Sequence, residues 1–599
     1  MDHHNLPTNA ETQQVMVQAQ ALEVRGMPQE AIDLYRQWLL QHPNDQASVI
    51  CWYELGRLLF LQGDAETAEN AFRSALEIQP ALMQASIALG KAIEAQGRLA
   101  QAIEVWESAM PARPLQIELL NNIARVSEAT FQTERAEAAL LDSLRLDPNQ
   151  PPVLTTLLQQ RQKLCRWPVL SESIGVPLNV QQVNIGPLMS LALFDDPRVN
   201  RASAERFIQD KPYNAAMQSP GLCNPGQIHA DHGRQRVGFL SADFRLHATS
   251  VFFMPIIEHL DRQQFEVVLL DITVGHDPFP FARQKLLEMA DKVLPLQGLN
   301  DQEAALAIKA IEIDVLIDMA GLTAGARPGI VAQRPAPVQM SYIGFLGSSA
   351  IPHVDFVLTT KDMFPHEYAD AFSEMPLEIE GTYLTFTNDE VVDTGTRRID
   401  CGIDDDAFVY CALLNSYKIT QDIFAAWMEI LRNVPNSLLW LVEENQTMRA
   451  NLEHAANQHG IDAKRLRFSQ RAHPAEYRTR LALADVFLDS SPYGNGATTR
   501  DAILSNLPII TKPGHTMMSR LTAHMIKAVG LKELVVHDMQ AYVQKAIALG
   551  LDRESLLRIR QQLMDSRSQS VLFDTQIFAK YFGETLQQGV ARMSNANLS

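Results

Sequence analysis

The segment LADVFLDSSPYGNGATTRDAILSNLPIITKPG, residues 483–514, sets a glycine-rich bend between an apolar run and the start of a helical pattern. Gly494 and Gly496 bracket the bend, and Thr498, Thr499 and Asp501 follow where the helix opens. A helix start presents amides without intrahelical partners and a partial positive charge, which suits an anion. Glycines let a backbone approach a ligand without interference from a Cβ. The hydroxyls of Thr498 and Thr499 can donate to a phosphate or cap the helix, and Asp501 can accept hydrogen bonds from sugar hydroxyls. The spacing is neither GxxxxGK[ST] nor GxGxxG, which argues against an ATPase and a dehydrogenase. A capped surface turn would use the same residue types, so the bend alone leaves both readings open.

The elements around this bend decide where it sits. From Arg236 onward short apolar runs (RVGFLSADF, FEVVLLDI, KVLPLQ, DVLIDMAG, PVQMSYIG, DFVLTT) alternate with helical patterns. The texture then repeats with AFVYCALL, SLLWLVE, RLRFSQ, DVFLDS and PIITKP. Strands alternating with helices predict βαβ units and parallel sheets, here two doubly wound α/β domains over 232–394 and 395–599. Open sheets of this kind bind ligands beyond the carboxyl ends of their strands. The closing amphipathic stretch DTQIFAKYFGETLQQGV can pack on either half. Residues 151–231 read as a helical connector.

The first 150 residues are built differently. Pro43, Pro80, Pro114 and Pro148 stand 37, 34 and 34 residues apart, Ala68, Ala102 and Ala136 keep the step of 34, and so do Gly63 and Gly97. Each unit reads as helix, glycine-centred turn, helix and a stopping proline, with small residues where two helices approach. About four tetratricopeptide repeats are expected, an all-α array whose concave face suits an extended polypeptide, with dimerisation or scaffolding alone as the alternative.

The totals restrict the classes available. A net charge of −19 disfavours a general nucleic-acid binder, and no apolar run reaches the length of a membrane span. Five scattered cysteines without a CxxC pair read as reduced thiols, and the N-terminal stretch carries no secretory pattern, so a cytoplasmic protein is expected. The run Asp404–Asp406 precedes a strand and reads as a solvated turn, so no metal is implied there.

The segments VGFLSADFRLHATS, RPAPVQMSYIGFLGSS, LLNSYKIT, NVPNSLLWLVEE and LADVFLDSSPYGNGATTRDA, in this order behind the repeats, resemble the protein O-GlcNAc transferase family. That family includes SPINDLY-type fucosyltransferases and, more remotely, bacterial protein N-glucosyltransferases. The similarity spans nearly the whole chain. It implies a repeat superhelix followed by a GT-B fold, and an inverting, metal-independent transfer from a nucleotide sugar, with UDP-GlcNAc the first choice of donor. No cofactor besides that donor is expected.

By the same resemblance, Lys418 matches the lysine that neutralises the leaving diphosphate and Asn415 a polar amide near the phosphates. His247 matches a histidine facing the sugar and diphosphate, with Asp243 four residues before it; either can act as base or orient the acceptor. Thr249 matches a donor contact. Ala472 and Arg480 match the segment that reads the base, with Tyr477 where a stacking ring is expected. Gly496, Thr498, Thr499 and Asp501 match the phosphate-and-ribose loop. Pro474 replaces a lysine that grips the base in animal members, and NIGPLMSLALF lacks a histidine found ahead of the first half. Donor nucleotide, donor sugar and base therefore stay open, with a GDP-fucose or UDP-glucose enzyme as rivals. A repeat scaffold without turnover is the alternative of another class. The expected partners are a polypeptide acceptor and the donor, with no nucleic acid and no membrane; self-association is left open.

Overall fold

The computed structural model describes residues 10–43, 45–110, 115–209, 221–229, 233–275 and 277–596. Pro114 and the expected boundary at 231/232 lie outside the described residues. The chain divides into two compact units. One is bounded by Leu157 and completed by Glu172–Pro177; the other holds Leu158–Ser171 and everything from Leu178 onward.

The first unit is a row of antiparallel helix pairs: α1 (Ala10–Val24) with α2 (Pro28–Gln41), α3 (Ser48–Leu61) with α4 (Ala65–Ile78), α5 (Met83–Ala95) with α6 (Leu99–Ala109), and α7 (Gln116–Ala129) with α8 (Thr133–Leu146). The prolines do what their spacing predicts. The α2, α4 and α8 helices end two residues before Pro43, Pro80 and Pro148, and His42, Gln79 and Asp147 leave the helical region, as the clash with a following proline ring favours. Gly26, Gly63 and Gly97 turn each pair with φ of 75°, 86° and 78°. In the fourth pair the same place is taken by Phe131 at φ 59°, 82% exposed. Ala68, Ala102 and Ala136 are fully buried at the helix crossings. Gly56 and Gly90 lie beneath the Phe72 and Trp106 rings, and a Cβ on Gly56 would stand 2.6 Å from Phe72.

The second unit carries two parallel sheets. Strands β1 (Gln235–Ser241), β2 (Phe265–Asp271), β3 (Lys292–Pro295), β4 (Val315–Asp318), β5 (Val338–Ser341), β6 (Phe356–Thr359) and β7 (Met375–Glu378) run in the order β3-β2-β1-β4-β5-β6-β7. Strands β8 (Phe408–Ala412), β9 (Ser437–Val442), β10 (Leu466–Ser469), β11 (Val486–Leu488) and β12 (Ile509–Ile510) run in the order β10-β9-β8-β11-β12. Central strands are mostly apolar along their middles because helices cover both faces; Val237, Phe239 and Leu240 of β1 are at most 1% exposed. Strand β7 escapes the sequence pattern: MPLE has a proline and an exposed glutamate, which an edge strand tolerates.

The order reverses between β1 and β4 in one sheet and between β8 and β11 in the other, so each sheet has a crevice at its carboxyl edge. The closing helix Thr575–Ala596 follows the second sheet in sequence but packs on the first, against the helix Ala248–His259 and strands β5 and β7. Its Gly583 and Gly589 are seats for Phe265 and Met340, which stand 2.9 and 2.4 Å from where a Cβ would be.

Candidate functional site

At the crevice between β8 and β11 lies a cavity of about 260 Å³. Asn415 and Lys418 enter it from the loop after β8, Ala472 from the loop after β10, Tyr477 and Arg480 from the helix Pro474–Leu483, and Thr498 from the helix Ala497–Leu504. Six expected site residues, scattered over 84 positions from 415 to 498, thus share one wall. Gly496, Thr499, Asp501, Asp243, His247 and Thr249 do not line this cavity.

Lys418 ends a short turn, Ser416–Lys418, and its Nζ donates to Oδ1 of Asn495 at 2.7 Å. The ammonium also sits 4.7 Å from the centre of the Tyr493 ring. Asn495 is fully buried, and its Nδ2 donates to Asp489 Oδ1 at 2.7 Å. Among the described residues no carboxylate pairs directly with Lys418; a neutral amide stands between it and Asp489. Burial pushes the lysine down to about 8, against the attraction of Asp489. Burial likewise pushes Asp489 up to about 6, against hydrogen bonds from Thr511 and Asn495. The ammonium therefore has no carboxylate in direct contact and stands at the cavity wall with donors free to meet an anion.

The helix Ala497–Leu504 supplies the complementary feature. Its N-cap is Gly496, with no side-chain cap, whereas Thr420, Asn445, Thr516 and Asp538 cap other helices of this half. The capped-turn reading of Thr498 and Thr499 is not realised: both lie inside the helix. Thr498 sits in the cavity beside the Tyr477 phenol. Thr499 is fully buried and its hydroxyl donates to the Asn495 carbonyl at 2.5 Å, steadying the bend from inside. Gly494 needs its missing Cβ for an internal reason, since a Cβ there would stand 2.5 Å from the Met518 carbonyl. That contact by itself accounts for a glycine at position 494. Gly496 lies against Leu521 and Phe252, where a Cβ would stand 3.2 and 3.7 Å from them.

Asp501 points to Arg500, whose Nη1 donates to its Oδ1 at 2.8 Å while Nη2 reaches Asp389 at 2.7 Å. Tyr477 is anchored by its hydroxyl on the Leu413 carbonyl at 2.7 Å. Arg480 bonds to the Gln470 carbonyl and to Glu476, both at 2.8 Å. Asn415 accepts from Arg471 at 2.8 Å.

The other group stands after β1. His247 caps the helix Ala248–His259: its Nδ1 accepts from the Thr249 amide at 3.3 Å, and Asp243 Oδ2 lies 3.4 Å from the same nitrogen. One nitrogen cannot accept from the amide and donate to the carboxylate at once. Burial lowers the imidazole pKa, with Asp243 opposing, so the neutral ring is favoured. With Nδ1 taken as acceptor, the proton sits on Nε2, which makes His247 a hydrogen-bond donor rather than a base in this state. Asp243 and Thr249 are buried behind it, at 7% and 8% exposure. Phe252, one turn along the same helix, lies 3.7 Å from where a Cβ on Gly496 would stand, so this helix borders the Gly494–Gly496 bend. Among the described residues no group of three His, Cys, Asp or Glu side chains is placed to hold a metal ion, and no helix is long and apolar enough to cross a membrane.

The sequence profile of Glycosyl transferase family 41 matches residues 215–389 and 385–582. The chain belongs to this family. A tetratricopeptide-like profile, the middle domain of cilia and flagella-associated protein 70, matches residues 16–157. Relatives include the probable UDP-N-acetylglucosamine–peptide N-acetylglucosaminyltransferase SEC of Arabidopsis thaliana, 30% identical over 61% of this chain and 38% of that protein. The Caenorhabditis elegans UDP-N-acetylglucosamine–peptide N-acetylglucosaminyltransferase is 26% identical over 60% of this chain and 42% of its own length. The chain thus spans about two fifths of the curated relatives it matches. A solved variant of the Thermobaculum terrenum O-GlcNAc transferase covers 92% of this chain and is itself covered to 99%, with a TM-score of 0.66 at 21% identity, a likeness of fold.

Within this family 41 chain, sequence reasoning passed over Asn495, Tyr493 and Asp489. Asn495 was in view as the middle of Gly-Asn-Gly, and only its complete burial reveals it as the contact of Lys418.

Proposed function

We propose that the chain is an inverting, metal-independent glycosyltransferase that moves a sugar, GlcNAc from UDP-GlcNAc as the first choice, onto a serine or threonine of a polypeptide. The observation that carries this reading is the Lys418 ammonium, held without a carboxylate in direct contact in the cavity that the uncapped helix Ala497–Leu504 enters through Thr498. The nucleoside lies in the cavity between Ala472, Tyr477 and Arg480, and the diphosphate on Lys418 and the helix amides. The acceptor oxygen attacks the anomeric carbon as the bond from that carbon to the diphosphate breaks; the electron pair leaves on the diphosphate and the acceptor proton passes to solvent or a base. Charge developing on the leaving group is what Lys418 stabilises. Nε2–H of His247 orients a sugar or phosphate oxygen, with Asp243 and Thr249 fixing the ring. The repeats present the polypeptide, in keeping with what tetratricopeptide arrays do elsewhere.

A thermal-shift panel with UDP, GDP and their sugars tests this. Ligand at a hundredfold excess over Kd adds about 2.7 kcal/mol to the folded state. A shift with UDP compounds supports the reading, a shift with GDP compounds alone moves the donor to GDP-fucose, and no shift favours a repeat scaffold. The GDP-fucose and UDP-glucose readings otherwise have no observation of their own in their favour.

A further inference from the structure

The segment joining the two sheets crosses the helix Pro474–Leu483, which presents Tyr477 and Arg480 to the cavity, and is tied to it through one carboxylate. Glu476 Oε1 accepts from Arg480 Nε at 2.8 Å. Its Oε2 accepts from the hydroxyls of Thr394 and Thr396, at 2.6 and 2.7 Å, both in the joining segment. Thr479, one turn on, secures the same segment, donating to the Val392 carbonyl at 3.1 Å and accepting from the Thr394 amide at 3.3 Å. Arg480 is thereby fixed at two ends, with Nη1 on the Gln470 carbonyl of the cavity wall and Nε on the carboxylate that the joining segment holds.

We propose that Glu476 is a positioning residue: it couples the segment joining the two sheets to Arg480 and so sets nucleotide affinity. This rests on the reading of the cavity as the donor site. The physical ground is that an isolated i,i+4 Glu–Arg pair at a surface is weak and mobile, because two long side chains must be ordered together. Here the glutamate is not free to wander. Three donors converge on its two oxygens, and the hydrogen bonds hold its carboxylate below the usual range, Thr394 contributing most. The guanidinium is presented in one orientation before any ligand arrives, which lowers the ordering cost of binding. A second tie on the same segment works in parallel: Asp389 accepts from Arg500, on the helix that carries Thr498.

The test uses the full-length protein, titrated calorimetrically with UDP and with GDP, and three variants: Glu476→Gln, the pair Thr394→Val with Thr396→Val, and Arg480→Ala. Glu476→Gln is expected to raise Kd for whichever diphosphate binds by about tenfold, and the donor KM with it, with kcat within about twofold. The paired valine variant, nearly isosteric and removed from the ligand, is expected to raise Kd in the same direction and carries the test if Glu476→Gln unfolds. Combined with Arg480→Ala, Glu476→Gln should add little, since both act through one guanidinium. An unchanged Kd in Glu476→Gln and in the valine pair, beside a raised Kd in Arg480→Ala, overturns the positioning role and leaves the cavity reading standing. An unchanged Kd in Arg480→Ala overturns both. A fall in kcat with Kd and KM unmoved also overturns it.

Discussion

Asn495 stands between Lys418 and Asp489: its Oδ1 takes the lysine proton donor at 2.7 Å and its Nδ2 donates to the carboxylate at 2.7 Å. The amide keeps opposite charges within one network while denying them direct contact. The lysine is left with donors to spare, able to meet a phosphate while it keeps its proton.

Lys418→Ala should therefore lower kcat for donor turnover by about 10²–10³-fold, the range found when one preorganised stabiliser of developing charge is removed. Polypeptide binding by the repeats should be unchanged. Donor hydrolysis measured beside a peptide pull-down checks this, and retention of full turnover would remove Lys418 from the mechanism.

The pH dependence follows from the same residue. Its pKa is lowered to about 8 by burial, and in the proposed transfer the protonated form is the one that stabilises the leaving group. Diphosphate affinity and kcat/KM should therefore hold below pH 8 and fall as pH rises through it. Lys418→Arg, which keeps its proton at every accessible pH, should remove that descending limb even if its overall rate is lower. The kcat/KM profile between pH 6 and 10 decides the point.

His247→Gln should retain more activity than His247→Ala if the ring acts as an Nε2 donor, because a glutamine amide supplies an N–H where alanine supplies none. Equal, complete loss in both would point instead to proton abstraction by His247. Rates of the two variants at saturating donor make the comparison.

Phe131 holds the left-handed turn that Gly26, Gly63 and Gly97 hold in the other repeats. Phe131→Gly should stabilise the α7–α8 pair by about 1 kcal/mol, since an L-residue in that region is strained by that order. Slower hydrogen exchange of the α7 and α8 amides would register it.

Gly90→Ala should cost about 2 kcal/mol or more, because the new Cβ would stand within 2.7 Å of three atoms of the Trp106 indole. One repeat on, the chain carries Ala124 and Leu140 at the matching positions. The double change Gly90→Ala with Trp106→Leu should recover part of the loss, which the unfolding midpoint of the repeat unit would show.

Local chemistry wrote much of this molecule into its sequence. The repeat prolines Pro43, Pro80 and Pro148 each follow the end of a helix, and buried parallel strands are apolar along their middles; the repeat boundaries and most strands follow from that. Strand β7 did not, because an edge imposes no such rule on MPLE. The side chains lining the cavity at the β8–β11 crevice were legible as residue types, and Lys418 and Thr498 both line it from positions just after β8 and β11. What the sequence left undecided depends on contacts between residues far apart in the chain. The closing helix packs on the first sheet, where Phe265 and Met340 sit against its Gly583 and Gly589. Asn495 became the partner of Lys418, and Glu476 the partner of Thr394 and Thr396, across 77, 82 and 80 residues of separation. Hydrogen-bond geometry at such range has no periodicity in the sequence; it exists only once the two sheets and their crossing segment are in place.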